Sequence, residues 1–591
     1  MNEITTWLLA LPPAALLARR AVVRLQLSAA KHRSLRGHAR MSQLVAKLVP
    51  HYEYAEDAFA GMDGAPGEVV ARRERAFRGL AEDLRTKAPR TLERSAQVEE
   101  DVSDVAFVNA YRVPFQFRGV ARRHLRVGSF AAETRGRMIS DLDGNWSFDL
   151  GGAYGVNLHG HDFYKRCIER GGERVKELGP VLGSYHPLVA SNSARLKAIS
   201  GMDEVSYHMS GTEAVMQAVR LARYHTKRSH IVRFTGSYHG WWDGVQAGVG
   251  NPRPPREVYT LKEMDEATLR VLRTRKDIAC VLVNPIQAMH PNGQAPSDTT
   301  LVASDRAARF DKEAYSNWLA RLREACTANG IVLVMDEVFL GFRLARGGAQ
   351  EYFGVQADLV TYGKTLGGGL PIGVVCGKRH LMKRWRPDNP TDICFARGTF
   401  NSHPYVMGAM AEFLDHLDLP ATREHYTSLD QAWNRRAARF NQELEARGLP
   451  VRVVNMVSVW TTLYTTPSAY NWLFQYYLRR EGLAMSWIGT GRFIFSHDYT
   501  EEEVDDVRRR FVAAAEAMQR DGWWWNDGTV TNKSIKRRIL RELIAAKFGR
   551  GAGREAAKAR DARPRAGESV PGDAAGSLAS RADSGGEQAA L

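Results

Sequence analysis

The chain has 591 residues, enough for two or three domains, and its apolar content of 44% is ordinary for a globular protein. Five scattered cysteines without a Cys-x-x-Cys pair argue against a disulfide framework or a zinc site, and fit a reducing, cytoplasmic setting. The net charge of +16 sits at the ends: residues 1–50 are net +7, 533–565 net +9 and 566–591 net −3, which leaves about +3 for the body.

Residues 1–109 read as a helical N-terminal extension, in which Leu16, Leu17, Val23, Leu27 and Leu44 alternate with basic residues. The apolar run Trp7–Leu17 is broken by Pro12-Pro13 and is followed, not preceded, by Arg19-Arg20, so neither a membrane span nor a signal peptide is expected there. From residue 137 the pattern changes. Asp143-Gly144 between two short runs predicts a hairpin, and a helix is expected over Asp162–Glu177. Beyond residue 200, β-branched runs (Val205–Met209, Ile231–Phe234, Ala279–Asn284, Ile331–Met335, Asp358–Thr361) alternate with amphipathic helices (Glu213–Thr226, Glu266–Arg275, Lys312–Asn329). Near-continuous apolar strands alternating with helices predict an α/β fold: a mostly parallel sheet with helices on both faces.

Residues 401–525 predict a smaller α+β domain, with helices near Tyr405–Leu417, Ser428–Arg447 and Glu501–Arg520 and strands at Val451–Thr465 and Arg492–Ser496. Trp523-Trp524-Trp525 closes it. Residues 526–548 hold a cationic amphipathic helix, apolar at 535, 539, 540, 543, 544 and 548, and the tail 549–591 reads as disordered. The tryptophans and this helix suggest peripheral contact with a membrane surface. Basic residues on an apolar-faced helix without a recognition motif argue against nucleic acid.

Four motifs each fall at the end of a predicted strand, where ligands of open α/β sheets bind. The first is Ser210-Gly211-Thr212-Glu213, at a helix start. Such a start is either a plain N-cap or a phosphate cup, since free N–H groups and the helix dipole favour an anion. The second is Tyr238-His239-Gly240, where an aromatic at a strand end packs locally or stacks on a flat ring. The third is Asp336-Glu337-Val338. A buried carboxylate there needs a cation, which a protonated pyridine nitrogen or Arg343 could supply. The fourth is Gly363-Lys364-Thr365, ahead of Gly367-Gly368-Gly369-Leu370-Pro371. A nucleotide-binding loop needs a glycine where this chain has Asp358, which leaves Lys364 for covalent carbonyl chemistry.

Taken together, a phosphate cup, an aromatic stacker, a buried carboxylate and a lysine are what pyridoxal 5′-phosphate needs. Over roughly residues 110–525 the chain resembles the class III, fold-type I aminotransferases, a group that includes glutamate-1-semialdehyde aminomutase. Around Gly347–Asp358 it is most similar to aminotransferase domains of polyketide and peptide assembly lines. The resemblance implies a pyridoxal-phosphate-binding large domain over 110–400. It implies Lys364 as the Schiff-base lysine, Asp336 at the ring nitrogen, and Tyr238, His239 and Val338 around the ring. Ser210, Gly211 and Thr212 would hold the phosphate. Gly398-Thr399 resembles the motif that reaches the neighbouring subunit's cofactor, which implies a homodimer with shared sites. The expected activity is transfer of an amino group from a small-molecule donor to a carbonyl acceptor, or its migration within one substrate, or amination of a carrier-bound keto group. Asn284 is a departure: many relatives carry glutamate there, so donor choice cannot be carried over.

Overall fold

The computed structural model describes residues 3–246, 248–253, 256–292, 308–485 and 491–548. The tail for which disorder is expected lies outside them. The body is built on a seven-stranded sheet. Its strands are β1 (Glu204–His208), β2 (His230–Phe234), β3 (Val258–Leu261), β4 (Ile278–Val283), β5 (Val332–Asp336), β6 (Leu359–Gly363) and β7 (Gly373–Gly377). Their spatial order is β1-β7-β6-β5-β4-β2-β3, parallel except for β7, which runs antiparallel to both neighbours. The α/β architecture expected from the strand–helix alternation is therefore present.

Helices cover both faces of this sheet. Helix α1 (Glu3–Ala30) and α2 (Gly67–Lys87) belong to the N-terminal region, and α3 (Gly211–Thr226) and α4 (Lys312–Ala328) flank the sheet. Side chains alternate along each strand, so Cys280 and Leu282 of β4 pack with Ala214, Ala218 and Leu221 of α3. Val281 and Val283 point the other way, into the cluster holding Trp318, Leu319 and Leu322 of α4. Burying each such leucine contributes roughly 1.5–3 kcal/mol, and both faces being dry explains why these strands read as unbroken apolar runs.

The hairpin expected at Asp143-Gly144 pairs Met138–Ser140 with Trp146–Asp149, with Gly144 at φ +82°. The expected strand Val451–Thr465 instead folds back on itself. Val451–Met456 pairs antiparallel with Val459–Tyr464, and Val457 turns between them at φ +50°. Arg492–Ile494 adds a third strand, and the helix Glu501–Arg520 starts at a capping box formed by Thr500 and Glu503.

The N-terminal helices pack on this body. The carbonyl of Ala30, at the end of α1, accepts a hydrogen bond from the Lys262 N–H at 2.8 Å. Arg73 of α2 is fully buried. It donates to both carboxylate oxygens of Asp63 (2.8 and 2.7 Å) and to the Gly522 carbonyl (2.8 Å), with its guanidinium over the rings of Tyr470 and Trp523. This overturns the expectation that Trp523–Trp525 face a membrane: Trp523 and Trp524 are core residues, and Trp525 packs against the same core. Helix α5 (Asn532–Lys547) buries Ile535 and Ile539 and leaves Leu540, Ile544 and Phe548 exposed. Among the described residues, no helix is long and apolar enough to cross a membrane.

Candidate active site

β1 leads straight into α3, and Ser210 caps that helix: its Oγ accepts from the Glu213 N–H at 3.3 Å. Glu213 in turn accepts from the Met209 N–H at 2.9 Å, which fixes the strand-to-helix corner. At the first turn of α3 the helix dipole favours an anion. Gly211 has to be glycine for a different reason: a Cβ there would sit 2.5 Å from Val338 Cγ1. The cup and the end of β5 are thus in contact.

β5 delivers Asp336, which is 3% exposed. The sequence left Arg343 open as its cation, but the structure gives that arginine another task. Arg343 donates to the Phe495 carbonyl (2.7 Å), the Asn157 carbonyl (3.1 Å), the Gly155 carbonyl (3.3 Å) and Ser458 Oγ (3.0 Å). Asp336 is held instead by His239, whose Nδ1 lies 2.8 Å from Oδ2, and by the Thr361 hydroxyl, which donates to Oδ1 at 3.1 Å. His239 is buried, and its Nε2 has no hydrogen-bond partner.

β6 delivers Lys364. Its backbone is left-handed at φ +46°, a conformation that costs a non-glycine residue on the order of 1–3 kcal/mol. Burial lowers the pKa of its amine; the Asp336 carboxylate opposes that shift and the Arg343 guanidinium adds to it. The Nζ lies 5.9 Å from the Phe339 ring centroid. A partly desolvated lysine with more neutral amine is a better nucleophile.

These side chains share one cavity of about 360 Å³. It is lined by Ser210, Gly211, Thr212, Tyr238, His239, Asp336, Val338 and Lys364, so eight of the nine expected site residues meet there. The ninth, Thr399, is exposed and lies outside this lining. Phe339 also lines the cavity and had no sequence signal of its own. Asn284, noted only as a departure, proves to be a clamp. Its Nδ2 donates to the Tyr238 carbonyl (2.9 Å) and its Oδ1 accepts from the Ile286 N–H (3.3 Å), which ties the aromatic loop to the end of β4.

The donor set fits pyridoxal 5′-phosphate on three counts. The α3 N-terminus with Ser210 and Thr212 suits its phosphate, and the buried Asp336 carboxylate suits a cationic ring nitrogen. The glycine at 211 leaves room beside Val338 that a methyl group would fill. Known proteins agree. The family model "Aminotransferase class-III" matches residues 120–290 and 311–513. Glutamate-1-semialdehyde 2,1-aminomutase of Nitratidesulfovibrio vulgaris (strain Hildenborough) is 33% identical over 344 residues, 57% of this chain and 77% of that protein. The same enzyme of Alkaliphilus oremlandii is 34% identical over 318 residues, 51% of this chain and 69% of the relative. An omega-transaminase from Sphaerobacter thermophilus superposes with a TM-score of 0.56 at 26% identity, covering 66% of this chain and 91% of that one. A glutamate-1-semialdehyde aminomutase from Pseudomonas aeruginosa PAO1 shares the fold, with a TM-score of 0.61 at 18% identity over 76% of this chain and 99% of that one. With the match spanning more than half of its length, the chain belongs to the class-III aminotransferase family, whose cofactor is pyridoxal 5′-phosphate.

Proposed function

We propose that this chain transfers an amino group between a small-molecule amine and a carbonyl acceptor, with Lys364 as both the covalent anchor of the cofactor and the proton carrier. The observation behind this reading is that Lys364 and Asp336, delivered by adjacent strands, open into the same buried cavity as the α3 N-terminus. When bound, pyridoxal 5′-phosphate supplies an electron sink for the carbon that bears the amine. Asp336 keeps a positive charge at the ring nitrogen favourable, and His239 and Thr361 hold its carboxylate in place. Lys364, released from covalent duty, moves a proton at the reacting carbon as general base and then acid. Tyr238 and Val338, which line the cavity, would flank the cofactor ring.

Borohydride reduction followed by peptide mass spectrometry tests the anchor. The peptide containing Lys364 should carry the cofactor mass, and Lys364→Ala should lose both the label and turnover. A label on another lysine, or normal turnover in Lys364→Ala, refutes the assignment.

The names of the relatives support a second reading, an amino shift within one substrate. Product formation from a single substrate without an added amine donor separates the two. Shared active sites in a homodimer are part of this reading, supported by the exposure of Thr399 together with Ile393, Phe395 and Phe400 on the same segment. Mixed subunits carrying Lys364→Ala and Thr399→Ala should regain activity that neither variant has alone. No recovery on mixing excludes shared sites.

A further inference from the structure

Helix α5 carries apolar residues on two faces. One holds Ile535 and Ile539, which are buried in the body. The other holds Leu540 and Ile544, one turn apart, and Phe548, which caps the helix; they are 57%, 50% and 70% exposed. Large apolar side chains exposed in a row mark a surface that meets a partner. The short helix Ala39–Leu48 repeats the pattern. None of its side chains is buried, and Met41, Leu44 and Leu48, at helical spacing, are each more than half exposed.

The two helices meet at their C-terminal ends. Lys547 Nζ donates to the Leu48 carbonyl at 3.1 Å, so the exposed Leu48 and Val49 lie near the exposed end of α5. The chain leaving the short helix then runs along α5, where Tyr52 and Tyr54 donate to Glu542 Oε2 at 2.9 and 2.6 Å.

The charge on this surface has one sign. Glu542 is the only acidic residue in 532–548, and it is occupied by the two tyrosines and by Arg538 Nε at 3.2 Å. Arg537 and Arg541 are exposed and precede Leu540 and Ile544 by three positions, so they share that face. Arg40 and Lys47 are exposed on the short helix, which has no acidic residue. Residues 549–565, which continue from Phe548, hold six basic residues against two acidic ones, a net +4.

An occupant has to satisfy both the apolar stripes and the cations. Nucleic acid would neutralise the cations but leave the stripes in water. A second copy of the same face would cover the stripes but set cations against cations. An anionic bilayer takes both: the apolar side chains enter the acyl boundary while Lys and Arg stay among the headgroups. We propose that α5 and the helix Ala39–Leu48 form a docking face that lies in the plane of an anionic lipid surface. Trp523 and Trp524, being buried, take no part in it, and none of its residues lines the Lys364 cavity.

Co-sedimentation of the full-length holoenzyme with lipid vesicles tests this. At about 150 mM salt, vesicles with about 30% phosphatidylserine in phosphatidylcholine should bind it at least about tenfold more tightly than phosphatidylcholine alone. Leu540→Glu combined with Ile544→Glu should lose at least about tenfold of that affinity, and so should Arg537→Glu combined with Arg541→Glu. All four positions are exposed, so the thermal melts should not change. No binding to the phosphatidylserine vesicles, or binding unchanged in either double variant, overturns the proposal. A second measurement needs no loss of binding. The five native cysteines are buried, so Phe548→Cys can be labelled selectively with an environment-sensitive fluorophore. Its emission should shift to the blue on phosphatidylserine vesicles and be quenched by brominated acyl chains. Unchanged emission on vesicles that do bind the protein shows that another surface docks, and overturns the proposal. Binding of duplex DNA or single-stranded RNA without vesicle binding assigns the face to nucleic acid. A dimer that Ile544→Glu dissociates, again without vesicle binding, assigns it to a second copy. Either result overturns the proposal.

Discussion

Asn284→Asp changes one atom of the clamp between β4 and the aromatic loop. In the structure Asn284 Nδ2 donates to the Tyr238 carbonyl at 2.9 Å. Aspartate would place a carboxylate oxygen against that carbonyl oxygen while its other oxygen still accepts from Ile286. Two outcomes compete. Holding the new carboxyl neutral at pH 7, against an ordinary aspartate pKa of about 3.9, costs about 4 kcal/mol. Releasing the Tyr238 carbonyl from its donor costs about 1–3 kcal/mol. Release is the cheaper response, so the loop carrying Tyr238 and His239 loosens. Because that loop forms one wall of the cofactor cavity, the dissociation constant for pyridoxal phosphate should rise by a factor of about 5 to 150. The defect should depend on pH in a defined direction. Once protonated, the introduced carboxyl group can donate to the carbonyl again, so the ratio of variant to unmodified affinity should recover as pH falls from 8 to about 5.5. Equilibrium dialysis with absorbance readout measures this ratio. A variant that binds the cofactor within twofold of the unmodified protein at both pH values refutes the clamp.

Gly211→Ala should weaken cofactor binding at least about tenfold, because its methyl group would lie 2.5 Å from Val338 Cγ1 and drive that side chain into the cavity. The double change with Val338→Ala should restore much of the affinity in the same dialysis assay. Asp63→Asn should destabilise the protein by about 3–5 kcal/mol, read from the urea midpoint of tryptophan fluorescence, since it leaves the buried Arg73 without its carboxylate. Glu337, beside Asp336, accepts from the Ala349 and Gln350 N–H groups, and burial raises its pKa from 4.5 to about 8. The folded state therefore binds more protons than the unfolded one between those values. Stability contributed by neutral Glu337 is full at low pH and is lost as pH rises towards 8. Glu337→Gln should flatten this slope in urea titrations at pH 5.5 and 8.5.

Each of the four motifs was legible because its chemistry is local: a strand end and the next three or four residues fix Ser210–Thr212, Tyr238-His239, Asp336 and Lys364. What the sequence hid was pairing at long range. The partner of Asp336 is His239 and not Arg343, since Arg343 has four oxygens to satisfy that come from loops more than a hundred residues away. The tryptophan triplet looked like a membrane anchor because a cationic amphipathic helix follows it in sequence. Its neighbours in space are Tyr470, Phe59 and Phe474. β7 escaped notice because Gly373-Val-Val-Cys-Gly377 runs on from a glycine-rich stretch, and an antiparallel insertion carries no periodicity of its own.

The buried Arg73 also bears on how the protein is made. Its bond to the Gly522 carbonyl spans 449 positions of chain. At a synthesis rate of about 5–20 residues per second, the helix bearing Arg73 leaves the ribosome roughly 20–90 s before its partner exists. During that interval Phe59 and Phe77, which later pack with Trp523 and its surroundings, have no completed core to enter. The helix bearing Arg73 therefore completes its docking late although it is made early, and chains that stop short of residue 522 are the ones that nascent-chain chaperones should hold longest.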